Sequence, residues 1–103
     1  MPTVTLVHAV LPALAPMQAA LRAALPDVKV RHMLDEGLSS EAERRGGVDR
    51  ACVERMLTIL GLAVEAGTDA VLLTCTAYST MLPEARERFA PVPFFAVDQM
   101  MVE

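Results

Sequence analysis

Along this chain the spacing of apolar residues switches repeatedly between the period of a strand and that of a helix, and each switch marks an element. Thr3 to His8 (Thr-Val-Thr-Leu-Val-His) is a β-branched run of strand length that stops ahead of Pro12. Pro16 suits a first helical turn, and Met17, Ala20, Leu21, Ala24 and Leu25 recur at helical spacing until Pro26 and Asp27 break the pattern. Val28 to Leu34 begins by alternating apolar and polar residues, which predicts a strand near a sheet edge with one wetter face. The charged, glycine-bearing stretch from Asp35 to Gly47 reads as a mobile surface loop with a helical turn, Ser40 and Glu43 being spaced for a capping box. Asp49 then caps a long helix whose stripe of Val53, Met56, Leu57, Leu60 and Val64 is widened by Cys52, Ile59 and Ala63, and Gly67 ends it. Ala70 to Cys75 is continuously apolar up to Thr74, as in the middle of a parallel sheet. Pro83 opens a fourth helical segment through Ala90, and Phe94 to Val97 reads as a fourth strand. Asp98 is placed to cap a helix running from Gln99 to Glu103.

Strands alternating with helices predict a single α/β domain over residues 1–103: a flavodoxin-like three-layer sandwich with a four-stranded parallel sheet in the order 2-1-3-4. No internal repeat or low-complexity tract interrupts it. Apolar residues make up 53% of the chain and charged ones 21%, so disorder is a poor reading and a real core is expected. Nine Lys and Arg against thirteen Asp and Glu give a net charge of -4, which argues against nucleic acid as a partner. The N-terminus carries no basic region ahead of its apolar stretch and is broken by two prolines, so neither a signal peptide nor a membrane span is expected, and the protein reads as cytoplasmic.

In an open parallel sheet, ligands bind beyond the carboxyl ends of the strands where the strand order reverses. Here that point lies between strands one and three, which deliver His8 and Ala9 from one side and Thr74, Cys75, Thr76, Ala77, Tyr78 and Ser79 from the other. A thiol and an imidazole, both able to titrate near neutrality, are thus expected to face one crevice among hydroxyls and free amides. Each also has a plainer reading. A cysteine in a buried strand is more often a small hydrophobe, a strand-end histidine is often satisfied by neighbouring backbone, and Thr or Ser after a strand are common turn residues. Cys52, in the middle of a helix that packs on the sheet, is expected in the core and far from the strand ends; His32 reads as a solvated edge residue. Met81, Met100 and Met101 read as packing rather than as metal ligands, and the two cysteines lack the spacing of a zinc site. The sixth residue after Cys75 is Met81 where a Cys-x5-Arg phosphate loop needs arginine, and Tyr78 stands where a C-x-x-C redox pair needs its second thiol. With no glycine-rich nucleotide motif either, no cofactor and no metal are expected.

The stretch from Gly67 to Ser79 (Gly-Thr-Asp-Ala-Val-Leu-Leu-Thr-Cys-Thr-Ala-Tyr-Ser), with the opening Val4 to Val10 and the closing Pro91 to Asp98, resembles the N-terminal lobe of the aspartate/glutamate racemase superfamily. That superfamily also includes hydantoin racemases, maleate isomerases and arylmalonate decarboxylases, and places its active site between two pseudo-symmetric lobes. The resemblance covers nearly the whole chain. It implies a cofactor-independent racemase or isomerase in amino-acid metabolism, acting at the α-carbon of a small carboxylate. Cys75 matches the N-lobe thiol, one of two that flank the α-carbon. Thr76, with the Thr76 and Ala77 amides, matches the part that holds the carboxylate; Thr74, Ser79, His8 and Ala9 fall in segments that line the pocket. Ala77 departs from the threonine common at this place. Superfamily enzymes are about twice as long, and their second cysteine, from the C-terminal lobe, has no counterpart here. One thiol serves one face of a substrate, so the resemblance implies a second lobe or a second copy of the chain as partner. A lobe active only when self-paired, and a module that binds small carboxylates without chemistry, are the alternatives.

Overall fold

The computed structural model describes residues 2–97. Four parallel strands, β1 (Thr3–His8), β2 (Lys29–Leu34), β3 (Ala70–Leu73) and β4 (Phe94–Ala96), form one sheet in the order β2-β1-β3-β4. Val4 pairs with Val30 on one side and with Ala70 on the other, and Val71 pairs with Phe94. Flanking helices complete a flavodoxin-like three-layer α/β fold: α1 (Leu14–Ala24), α2 (Gly37–Arg44), α3 (Arg50–Glu65) and α4 (Leu82–Arg88).

Successive side chains of a strand point to opposite faces, and here the two faces are covered unequally. Val7, Val71, Leu73, Phe94 and Ala96 pack against α2, α3 and α4 through Leu38, Met56, Leu60, Leu82 and Ala85, all buried. On the other face Leu6 and Leu72 form a smaller buried cluster with Leu21 of α1, with Val4, Met17, Val30 and Val97 packed around them. An apolar cavity of about 500 Å³ runs between α1 and the sheet there, lined by Met17, Ala20, Leu21, Ala24, Leu72 and Val97 among others.

The residues ahead of β3 set its register. Gly67 leaves α3 with φ +84, the left-handed conformation glycine adopts at no steric cost. Two residues on, Asp69 clamps the start of β1: its carboxylate accepts the Thr3 amide at 2.7 Å and its own amide donates to the Thr3 carbonyl at 2.8 Å. The Gly-Thr-Asp part of the sequence signature thus does structural work in this chain, aligning β3 beside β1.

The element limits differ from the sequence expectation in ways that have local causes. A 3₁₀ turn, Leu11–Ala13, carries Pro12 and lets α1 begin at Leu14 rather than Pro16. The expected loop after β2 is the helix α2, and the Ser40–Glu43 capping box does not form, because Ser40 lies inside the helix with its hydroxyl donating to the Gly37 carbonyl at 3.4 Å. Instead the Asp35 carboxylate accepts the Gly37 amide at 3.0 Å, which starts the helix early enough to bury Leu38 completely. A second 3₁₀ turn, Thr76–Met81, precedes α4, and β3 and β4 stop at Leu73 and Ala96. The Asp98 cap and the helix expected from Gln99 to Glu103 lie outside the described residues.

Candidate functional site

The carboxyl ends of β1 and β3 lie side by side, the Thr74 amide donating to the Val7 carbonyl at 3.0 Å just past the last paired residues. His8 and Ala9 from β1 and Thr74 and Cys75 from β3 are therefore brought to the same edge of the sheet. They do not share one crevice. Pleating sends His8 and Thr74 toward α1, whereas Ala9 and Cys75 pack against the larger core on the opposite face. The expectation that thiol and imidazole face each other gives way to two separate groupings.

On the α1 side, four side chains are joined end to end. His8 is fully buried; its Nδ1 lies 2.9 Å from Thr74 Oγ1 and its Nε2 lies 3.0 Å from Nδ1 of His32. His32 Nε2 lies 2.5 Å from Oε1 of Gln18 on α1. The two imidazoles stack with centroids 5.2 Å apart. Burial lowers the pKa of His8, and the neighbouring His32 lowers it further; burial and then the Arg22 guanidinium do the same to His32. His32 is at the edge of the sheet, as β2 is, but it is half-buried and hydrogen-bonded rather than solvated.

On the other side, Cys75 is half-buried and is followed by the 3₁₀ turn, whose first internal bond runs from the Tyr78 amide to the Cys75 carbonyl at 3.2 Å. The Thr76 and Ala77 amides precede that bond and have no partner within the turn. Thr76 and Ala77 are exposed, and the Ser79 hydroxyl is spent on the Thr76 carbonyl at 2.8 Å.

Tyr78, which the sequence brings to this edge without assigning it a role, anchors this end of the molecule. It is buried, and its hydroxyl donates to the Leu38 carbonyl of α2 at 2.7 Å. Its phenol pKa is raised, first by burial and then by contact with the Cys52 thiol, with Cys75 adding to the effect. Cys52 is therefore in the core, as expected, but not far from the strand ends. It is the third residue of α3, and the start of that helix sits over the carboxyl ends of the strands. The Asp49 cap, three residues earlier in the sequence, was the signal that could have placed it. Tyr78→Phe should cost about 1 to 3 kcal/mol, since it removes the donor to a buried carbonyl; a lower urea midpoint at unchanged slope is the expected reading.

Asp35 and Arg55 also meet at this end, at 2.6 and 3.0 Å, and the guanidinium holds the Asp35 carboxyl below its ordinary range. No local spacing hints at this pair, which joins the end of β2 to α3 across twenty residues. Among the described residues no group of three or more His, Cys, Asp or Glu is arranged to hold a metal ion, and no helix is long and apolar enough to cross a membrane. No family model matches this chain, and no curated protein and no solved structure matches it either.

Proposed function

We propose that this chain carries one half of a cofactor-independent acid/base site that acts at the α-carbon of a small carboxylate of the amino-acid or hydantoin class, with Cys75 as the proton-transferring thiol. The observation that carries the reading is the position of Cys75. It follows the central strand of a 2-1-3-4 parallel sheet, at the place where the strand order reverses, half-buried and just ahead of the Thr76 and Ala77 amides. Those amides suit the negative charge of a carboxylate or of the enolate formed when the α-proton leaves. Both cysteines are free, which suits a reducing, cytoplasmic setting. A two-base racemisation needs a second acid on the opposite face of the substrate, supplied by a second lobe or a second copy of the chain.

A second reading, a module that binds small carboxylates without chemistry, is favoured by one observation: both ring nitrogens of His8 are engaged by Thr74 and His32, which leaves Cys75 without an imidazole beside it. Incubation with aspartate, glutamate and a hydantoin in D₂O separates the two. Deuterium entering the α-position supports the acid/base reading, and a rate rising with the square of protein concentration assigns the partner to a second copy. Binding of these compounds without any α-deuterium, at every protein concentration, leaves only the binding module.

A further inference from the structure

The hydrogen-bond chain between α1 and the sheet has a direction that follows from its ends. Gln18 Oε1 only accepts, so His32 Nε2 carries the proton between them; neutral His32 then accepts at Nδ1, and His8 Nε2 must donate to it. His8 Nδ1 is left as an acceptor, filled by the Thr74 hydroxyl. Every ring nitrogen is thus satisfied while both imidazoles are neutral.

Protonation disturbs this order stepwise. A first proton can enter at His8 Nδ1 if the Thr74 hydroxyl turns to donate to the Val7 carbonyl, 3.2 Å away. The resulting imidazolium is fully buried. No described carboxylate faces it: the charged group acting from α1 is Arg22, β3 offers only Thr74, and Asp35 at the end of β2 is turned to Arg55 and the Gly37 amide. A second proton would set His8 Nε2–H against His32 Nδ1–H across 3.0 Å, with no acceptor between them. Charge on the pair is therefore relieved by separation, and the movable partner is α1. That helix buries only Leu21, where α3 buries Cys52, Met56, Leu57, Leu60 and Ala63. It also forms one wall of the 500 Å³ apolar cavity.

We propose that the Gln18–His32–His8–Thr74 chain is an acid-released latch on α1, closed while both imidazoles are neutral and opened when the pair takes up protons, which uncovers the apolar face of the sheet. The latch requires nothing of Cys75 and stands or falls apart from the acid/base reading. Burial lowers both pKa values, so the sign is fixed: the folded state binds fewer protons than the unfolded chain, and the stability held at neutral pH is lost as pH falls below about 6.5 toward the lowered values.

Amide hydrogen exchange on the full chain, corrected for intrinsic rates, tests this. Between about pH 7.5 and about pH 5, protection of residues 14–24 should fall about tenfold while that of residues 50–65 is unchanged, and in His32→Phe, which keeps the His8 imidazole but loses the tie to Gln18, the fall should be smaller than in the wild type. Flat protection of α1, an equal fall in both helices, or a fall in His32→Phe as large as that of the wild type would overturn the latch. Titration of the wild-type imidazoles by ¹⁵N resonance keeps the proposal testable if that variant does not fold. Two coupled transitions below the ordinary histidine range are expected, and two independent transitions at the ordinary value would overturn it.

Discussion

Cys75→Ser is expected to cut deuterium entry at the substrate α-carbon about 10²- to 10⁴-fold, the range over which a positioned acid/base group contributes. A thiol is a far stronger acid than a serine hydroxyl of nearly the same shape, so the substitution removes the transferable proton and changes little else. The substitution leaves the fold almost untouched, because Cys75 is only half-buried and packs at the margin of the larger core. The Thr76 and Ala77 amides are also unaltered, so carboxylate binding should persist while exchange is lost. Cys52→Ser supplies the opposite pattern. Cys52 is 1% exposed and contacts the Tyr78 phenol, so a serine there should lower stability and leave the exchange rate of the folded protein unchanged. Loss of exchange in Cys52→Ser with retention in Cys75→Ser would move the chemistry to the start of α3.

The parts of the fold that were legible in the sequence are those where one local signal and one packing demand agree. β1 is β-branched and its last four residues are all buried, as a strand inside the sheet demands; α3 has a cap at Asp49, a stop at Gly67 and a continuous apolar stripe between them. Strand order followed from the alternation of elements. The 3₁₀ turn Thr76–Met81 was not legible because six residues hold too few repeats for a period to emerge, and its anchor, Tyr78, is satisfied by Leu38, forty residues earlier in the chain. α2 reads in the sequence as a surface loop with a helical turn because the stretch is charged and glycine-bearing, while what fixes the full helix is the burial of Leu38. At the candidate site, the sequence reading brings His8, Ala9, Thr74 and Cys75 to one edge of the sheet, as the structure does. It misjudged their facing, because the thiol and the imidazole lie at strand positions of opposite parity: His8 falls in register with Thr74 rather than with Cys75. His32 was misread for a related reason. The period of β2 assigns its face, but only the crossing of α1 supplies Gln18 as its partner.

Phe94→Ala should cost about 3 to 5 kcal/mol, a large share of the roughly 5 to 15 kcal/mol that holds a domain of this size together. Phe94 is 1% exposed on the heavily covered face, and its ring meets that of Phe89 with centroids 5.8 Å apart, within the range of a favourable aromatic pair. β4 is three residues long and pairs only with β3, so little else holds it; Arg86 reaches the Phe94 carbonyl at 2.9 Å, and that contact depends on the strand staying in place. Phe95 provides the comparison, one residue on and on the opposite face, where it is 42% exposed. Phe95→Ala should cost less than about 1.5 kcal/mol, since much of its ring is already in water. Urea midpoints of the two variants at matched slopes give the difference directly. Near-equal losses would mean that the sheet face beside α1 is covered in solution, and a dependence of the Phe95→Ala loss on protein concentration would identify the cover as a second copy of the chain.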